Sequence, residues 1–191
     1  MGTLTVAMFM TIDGYTQTTG GGLIPPAWSG DLQRHWSGAN AHEGQLLLYG
    51  RTAFEINAGL WPQAAAAPDN PDDYRSFAAT MNALPKVVIS ATLEKPGWNA
   101  TVESGPLPEV IARVKSSFDG EIVAVGGMAL VSSLVTSGLA DRYRFLLMPR
   151  IAGSGISIFR GPSIGEDLEL TSQQSMDTGA MILEYQPRHR G

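Results

Sequence analysis

Gly50-Arg51-Thr52 places a glycine, a planar cation and a hydroxyl directly after the apolar run Leu46-Leu47-Leu48-Tyr49. A strand that ends in glycine at the start of a helix leaves backbone N–H groups pointing outward, and the helix dipole favours negative charge there. Arginine adds a fork of donors suited to a phosphate. The chemistry implied is anion binding. A second junction of this kind follows Glu121-Ile122-Val123-Ala124-Val125, which runs into Gly126-Gly127 and then a helix opening at Met128. A third apolar run, Lys86-Val87-Val88-Ile89, ends in the small hydroxylic residues Ser90-Ala91-Thr92. Two anion sites at strand ends suit a molecule with several phosphates, such as a dinucleotide. Plainer explanations exist for each part. Glycine at a strand end serves turn geometry, and Glu55 lies four positions after Arg51, the spacing of a surface ion pair.

The elements that must position these residues alternate. Residues 3–10 (TLTVAMFM) read as a first buried strand, ended by the turn Thr11-Ile12-Asp13-Gly14-Tyr15. Residues 16–22 are polar and glycine-rich and are expected to be mobile, either a lid or a slack connection. Pro25-Pro26 stiffens the chain before a helix expected over 29–40. Ser29 is its candidate N-cap, and Asp31 falls in its first turn, where the dipole favours a carboxylate. Residues 58–70, with Trp61-Pro62 and the run Ala64 to Ala67, read as a loop. A helix follows from about Asn70 or Pro71 to Leu84, then the strand from Lys86, a brief strand over 101–103, and a helix over 106–117. Val110, Ile111 and Val114 share one face of that helix and are read as core. The strand 121–125 leads to a helix over 128–137 stopped by Gly138. Residues 141–148 form a further strand, 149–161 a loop carrying Gly153-Ser154-Gly155, and 168–173 and 181–186 two late strands, expected to be antiparallel.

This order predicts an α/β fold, three-layer α/β/α, with a mostly parallel central sheet and late antiparallel strands. No composition shift marks a boundary, so one domain over 1–191 is expected. In such sheets ligands lie beyond the carboxyl ends of the strands.

Composition narrows the classes further. The chain has 191 residues, 43% hydrophobic and 16% charged, with a formal net charge of −5. A nucleic-acid surface is not indicated. There is no cysteine, which removes disulfides and thiolate chemistry, and the three histidines, His35, His42 and His189, are too scattered for a metal site. No metal is expected. Met1 to Met10 lacks the basic start of a signal peptide, and no apolar run reaches the ~18 residues that span a bilayer. The expectation is a cytoplasmic protein without membrane contact. The Asn99-Ala100-Thr101 sequon is then chance. The G-x-G-x-x-G fingerprint is absent, since GGMALV lacks the third glycine, and no Gly-Lys-Ser/Thr occurs.

The motifs Thr11-Ile12-Asp13-Gly14, LLLYGRTAFE, KVVIS and VGGMALVSSLVTSGLADRYRFLLMPRIAGSG occur in the order seen in the dihydrofolate-reductase-like superfamily. The chain resembles most closely the branch holding the C-terminal reductase domain of the riboflavin-biosynthesis deaminase–reductase and its stand-alone relatives. The resemblance covers essentially the whole chain. It implies an NADPH-dependent oxidoreductase that reduces a small C=N or C=O substrate, with 5-amino-6-(5-phosphoribosylamino)uracil reductase-like chemistry within its range. It assigns Gly50, Arg51 and Thr52 to the adenosine side of NADPH, with the arginine near the ribose 2′-phosphate and Ser90 beside it. Gly126, Gly127 and Met128 would lie under the pyrophosphate, and the Gly126–Gly127 bond would be cis. Ala7 would lie near the nicotinamide. Asp31 becomes the candidate proton donor, with Asp13 second. A homodimer is implied, with the strand carrying RFLLM a possible contributor. Two departures stand out: the 191 residues leave no room for the zinc deaminase domain, and Ile156-Ser157 stand where a basic residue often follows the loop glycines. The competing readings are a small-molecule-binding protein without turnover and a true dihydrofolate reductase.

Overall fold

The structure, a computed structural model, describes residues 1–160 and 165–188. The last residue of the expected glycine loop, Gly161, and the third histidine, His189, lie outside the described residues. In chain order the elements are β1 (Thr3–Thr11), α1 (Gly30–Asn40), β2 (Gln45–Gly50), α2 (Arg51–Ala66), α3 (Asp72–Ala83), β3 (Lys86–Ile89), β4 (Ala100–Glu103), α4 (Leu107–Ser117), β5 (Glu121–Val125), α5 (Met128–Thr136), β6 (Arg142–Met148), β7 (Leu168–Ser175) and β8 (Met181–Pro187). The α/β class, the mostly parallel strands and the antiparallel late strands are those expected. The chain forms two compact units, each made of two chain segments: Met1–Thr3 with Ser37–Gly127, and Leu4–Trp36 with Met128–Gly191.

In the first unit the strand order is β4-β3-β2-β5, and every pairing is parallel. Parallel strands covered on both faces read as unbroken apolar runs, and Leu47, Leu48 and Tyr49 of β2 are wholly buried. The expected core face of α4, Val110, Ile111 and Val114, is buried.

One expectation fails here. Residues 58–66 are not loop but the second half of α2, with Pro62 inside the helix. An interior proline forfeits a hydrogen bond and typically costs ~3 kcal/mol. Two things offset it. Alanine has the highest helix propensity, and the Trp61 ring packs edge-on against Phe77 of α3 at 5.1 Å. Trp61 also donates to Asn57 at 2.6 Å, and Asn57 donates to the Ala53 carbonyl at 2.7 Å, which ties the last turns to the first.

In the second unit the order is β1-β6-β8-β7. β1 and β6 are parallel, with Thr5 opposite Arg142, while β8 runs antiparallel to both β6 and β7. Buried Arg144 of β6 faces Glu184 of β8 and donates to it at 2.5 Å. The outer strand β7 is polar and exposed, as unprotected sheet edges tend to be. The glycine-rich segment 16–22 is not free. Gln17 bridges both Leu23 and Ile156, and a Cβ at Gly155 would stand 2.3 Å from the Gln17 carbonyl oxygen. Only glycine permits that approach.

Candidate functional site

The strand order β3-β2-β5 sets three carboxyl ends side by side in the first unit, carrying Ser90, Gly50 and Gly126. Gly50 precedes α2, and no side chain caps that helix. The first N–H groups of α2 therefore have no side-chain acceptor. Gly127 leans on the same turn: a Cβ there would sit 3.1 Å from the Ala53 Cβ and 4.0 Å from the Gly50 nitrogen. The two glycine junctions thus adjoin each other. Gly126 and Gly127 have φ of 78° and 82°, a region that costs other residues about 1–2 kcal/mol. A Cβ at Gly126 would meet nothing within 4 Å, so the backbone there is open to approach. The expected cis bond between them is absent; the described chain has no cis peptide. Paired left-handed φ values turn the chain at this point instead.

Arg51 opens α2 with its side chain half exposed. Its Nε donates to Glu55 at 2.7 Å and its Nη1 to the Thr92 hydroxyl at 2.6 Å. Both the anticipated ion pair and a contact to the turn after β3 are therefore made, and the rest of the guanidinium fork remains for a ligand. The Ser90 hydroxyl accepts from the backbone N–H groups of Thr92 and Leu93 at 3.2 and 3.1 Å, which shapes that turn. Thr52 is exposed on the first turn of α2. Arginine, two hydroxyl residues and uncapped N–H groups together can hold a phosphate.

The second unit carries the other candidates. Ala7 is buried in the middle of β1, opposite Arg144. Met128 is the first residue of α5 and half-buried. Asp13 is fully engaged in structure. It accepts from the Thr11 hydroxyl at 2.6 Å and from the backbone N–H groups of Ala152 and Gly153, the latter at 2.7 Å. The Thr11 bond, then the Ala152 N–H, hold its carboxyl down at about 2. Asp13 thereby brackets the 149–155 loop.

Asp31 lies in the first turn of α1, and Ser29 is the N-cap, accepting from the Leu32 N–H at 3.1 Å. One Asp31 oxygen accepts from the Asp177 backbone N–H at 3.2 Å. The other lies 3.2 Å from His35 Nδ1 and 3.6 Å from Arg34. Sequence reading missed these partners. His35 had a signal, its four-residue spacing from Asp31; Asp177 had none, because a backbone N–H 146 residues away leaves no trace in composition.

The model of the RibD C-terminal domain family matches residues 2–182. The chain belongs to this family. Solved structures place the RibD-type chain in the same fold. A putative riboflavin biosynthesis protein from Shewanella sp. PV-4 superposes with a TM-score of 0.68 at 16% identity, covering 98% of this chain and 99% of that one. Dihydrofolate reductase from Enterococcus faecalis, solved with NADP(H), gives 0.61 at 12% identity over 98% and 97%. The Thermotoga maritima diaminohydroxyphosphoribosylaminopyrimidine deaminase/5-amino-6-(5-phosphoribosylamino)uracil reductase gives 0.63 at 16% identity over 98% of this chain and 57% of its own length. The RibD C-terminal family supports a reductase role. Among the described residues, no helix is long and apolar enough to cross a membrane.

Proposed function

We propose that the protein is an NADPH-dependent reductase acting on a small C=N or C=O substrate, with chemistry of the kind named for the Thermotoga relative. The observation that carries this reading is the adjacency of Gly50-Arg51 and Gly126-Gly127 at the carboxyl ends of neighbouring parallel strands. Uncapped N–H groups and open backbone at Gly126 fit a pyrophosphate. The free part of the Arg51 fork, with Thr52 and Ser90, fits a ribose 2′-phosphate. The Enterococcus relative, of the same fold, was solved with NADP(H). Bound NADPH would supply the hydride.

The chain's own contribution is placement and a proton. Backbone groups of the first unit anchor the phosphates, so the cost of orienting the cofactor is met before the chemical step. Ala7 would stand beside the nicotinamide and Met128 beside the pyrophosphate. Asp31 is the proposed proton source for the product heteroatom, directly or through a water. Its contacts to His35 and the Asp177 N–H fix its orientation. A cytoplasmic homodimer is part of the same proposal.

Titrating the protein with NADPH and with NADH, followed by quenching of Trp28, Trp36, Trp61 and Trp98, tests the reading. NADPH should bind clearly tighter than NADH. A folded protein that binds neither sinks the assignment of both glycine junctions. Binding without oxidation against a carbonyl and imine panel would instead mark a binding protein. For Asp31→Asn, a pH–rate profile flattened on one limb supports the proton role; an unchanged profile with slightly lower stability leaves Asp31 as a first-turn carboxylate alone.

A further inference from the structure

At the other ends of β2 and β3 from Gly50 and Ser90, the first unit contains a cavity of about 480 Å³. Lys86 and Ser90 are four residues apart in an extended strand, roughly 13 Å. The cavity opens among the starts of three parallel strands, where Leu46, Lys86 and Thr101 line it, with Trp98, Ser117 and Phe118 as further walls. Its size suits a small molecule, and a mostly apolar wall with a few converging polar groups is the usual make-up of such sites. Lys86 is the one ionisable residue among those that line it.

Two features at this end are unfavourable to the fold taken alone. Lys86 is only 2% exposed, yet no carboxylate pairs with it among the described residues. Its ammonium donates to the Leu84 carbonyl at 2.5 Å and to the Asn82 carbonyl at 3.3 Å. Its remaining side faces the Trp98 ring, 4.2 Å from the centroid. Secondly, Gly97, Trp98 and Asn99 take consecutive positive φ values of 61°, 44° and 54°. Glycine and asparagine tolerate this region but a bulky residue such as Trp98 avoids it, and where the surrounding structure enforces it, the strain tends to mark functional positions. Here it is enforced. Asn99 donates to the Ala83 and Leu84 carbonyls, and the Trp98 indole N–H to the Asn82 side chain at 2.7 Å.

A cation at the end of α3 complements the helix dipole, which accounts for the two carbonyl contacts. It does not account for the N–H left facing an indole. A π face is a weaker partner for an ammonium than a carboxylate oxygen. Burial also draws the Lys86 amine down to about 8, and a bound anion would relieve that.

We propose that this cavity is a second ligand site and that it takes a small planar aromatic carboxylate. The ring of the ligand lies against Trp98 and Phe118. Its carboxylate replaces the Trp98 face as the third partner of the Lys86 ammonium, the indole turning aside to admit it, and the hydroxyls of Thr101 and Ser117 stand at the rim. Nothing in this proposal depends on NADPH binding.

Benzoate is the probe. The protein is titrated with benzoate, with and without NADPH, followed by tryptophan fluorescence and by ¹H–¹⁵N amide shifts. Saturable binding is expected, with shifts at residues 97–101 and 117–118 and none at 126–127. Lys86→Met, which keeps the apolar stem, should weaken benzoate at least tenfold and leave NADPH affinity unchanged. Neutral benzyl alcohol should bind wild type at least tenfold more weakly than benzoate, so the charge requirement is decided even if the variant does not fold. The proposal is overturned by no saturable benzoate binding, by shifts centred on Gly126, by displacement on adding NADPH, or by equal binding of benzyl alcohol.

Discussion

The four parallel strands of the first unit carry a cation at each end, and the two are built oppositely. Arg51, at the carboxyl ends, is half exposed, has a carboxylate beside it, and keeps much of its fork open. Lys86, at the amino ends, is buried, has no carboxylate beside it among the described residues, and faces two carbonyls and an indole. An exposed cation with an exposed partner contributes little to stability and can exchange that partner for a ligand at small cost. A buried cation without a counter-charge burdens the fold whether or not anything binds. One sheet therefore separates a group that is inexpensive to keep from one that is expensive, and the expense asks for its own explanation.

The largest expected effect sharpens this contrast at Lys86. Its amine falls from 10.5 to about 8 on folding. Below pH 8 both states are protonated and the penalty of the buried ammonium is full. Between pH 8 and 10.5 the unfolded chain holds a proton that the fold has released, so stability rises with pH across this window. The rise attributable to Lys86 is at most on the order of 3 kcal/mol. Denaturant unfolding of wild type and Lys86→Met at several pH values isolates it; a difference flat in pH would break the contrast.

At the other end, Arg51→Ala should weaken NADPH about tenfold to a hundredfold, the worth of a charge-assisted contact of roughly 1.5–3 kcal/mol, while hardly touching NADH. Equal losses for both cofactors would remove Arg51 from the 2′-phosphate. Gly127→Ala and Gly126→Ala should each lower stability by about 1–2 kcal/mol through the left-handed backbone. Gly127→Ala should cost more, because its Cβ would crowd Ala53 at 3.1 Å. Gly126→Ala should instead lose NADPH affinity out of proportion to stability, since its Cβ enters the space proposed for phosphate. Thermal melts beside NADPH titrations separate the two. The smallest effect belongs to Glu55→Gln: about 0.3–0.5 kcal/mol of stability for an exposed i,i+4 pair, with NADPH affinity undiminished.

The asymmetry also decided what could be read from sequence. Gly50-Arg51 and Gly126-Gly127 were legible because glycine between an apolar run and a helix is a local signal. The parallel core of the first unit was legible because Leu46 to Tyr49 has no polar interruption. Most strands and helices lie within a residue or two of their expected ends for the same reason. Residues 58–66 were misread because Pro62 is a local signal that tertiary packing of Trp61 on α3 overrides. The bracketing contacts of Asp13 were hidden because its partners, the N–H groups of Ala152 and Gly153, are backbone atoms about 140 residues away. The mobile loop expected over 16–22 is pinned by Ile156 in the same distant way. Lys86 drew no notice, since a lysine opening a strand is ordinary until its burial is known.

The chain order of the second unit sets a timetable for synthesis. β1 emerges from the ribosome first, but its parallel partner β6 comes far later: Leu4 and Asp141, which exchange hydrogen bonds at 2.7 and 2.9 Å, are 137 residues apart. At ordinary elongation rates that gap is on the order of ten seconds. During it, all of β2 to β5 is made as one continuous stretch, while the edge of β1 that β6 will cover stays open. The polar outer strand β7 and then β8, which lies between it and β6, are made after β6. That edge of β1 is thus open to mispairing until β6 is made, and a translational pause before β6 would lengthen the exposure more than a pause anywhere after it.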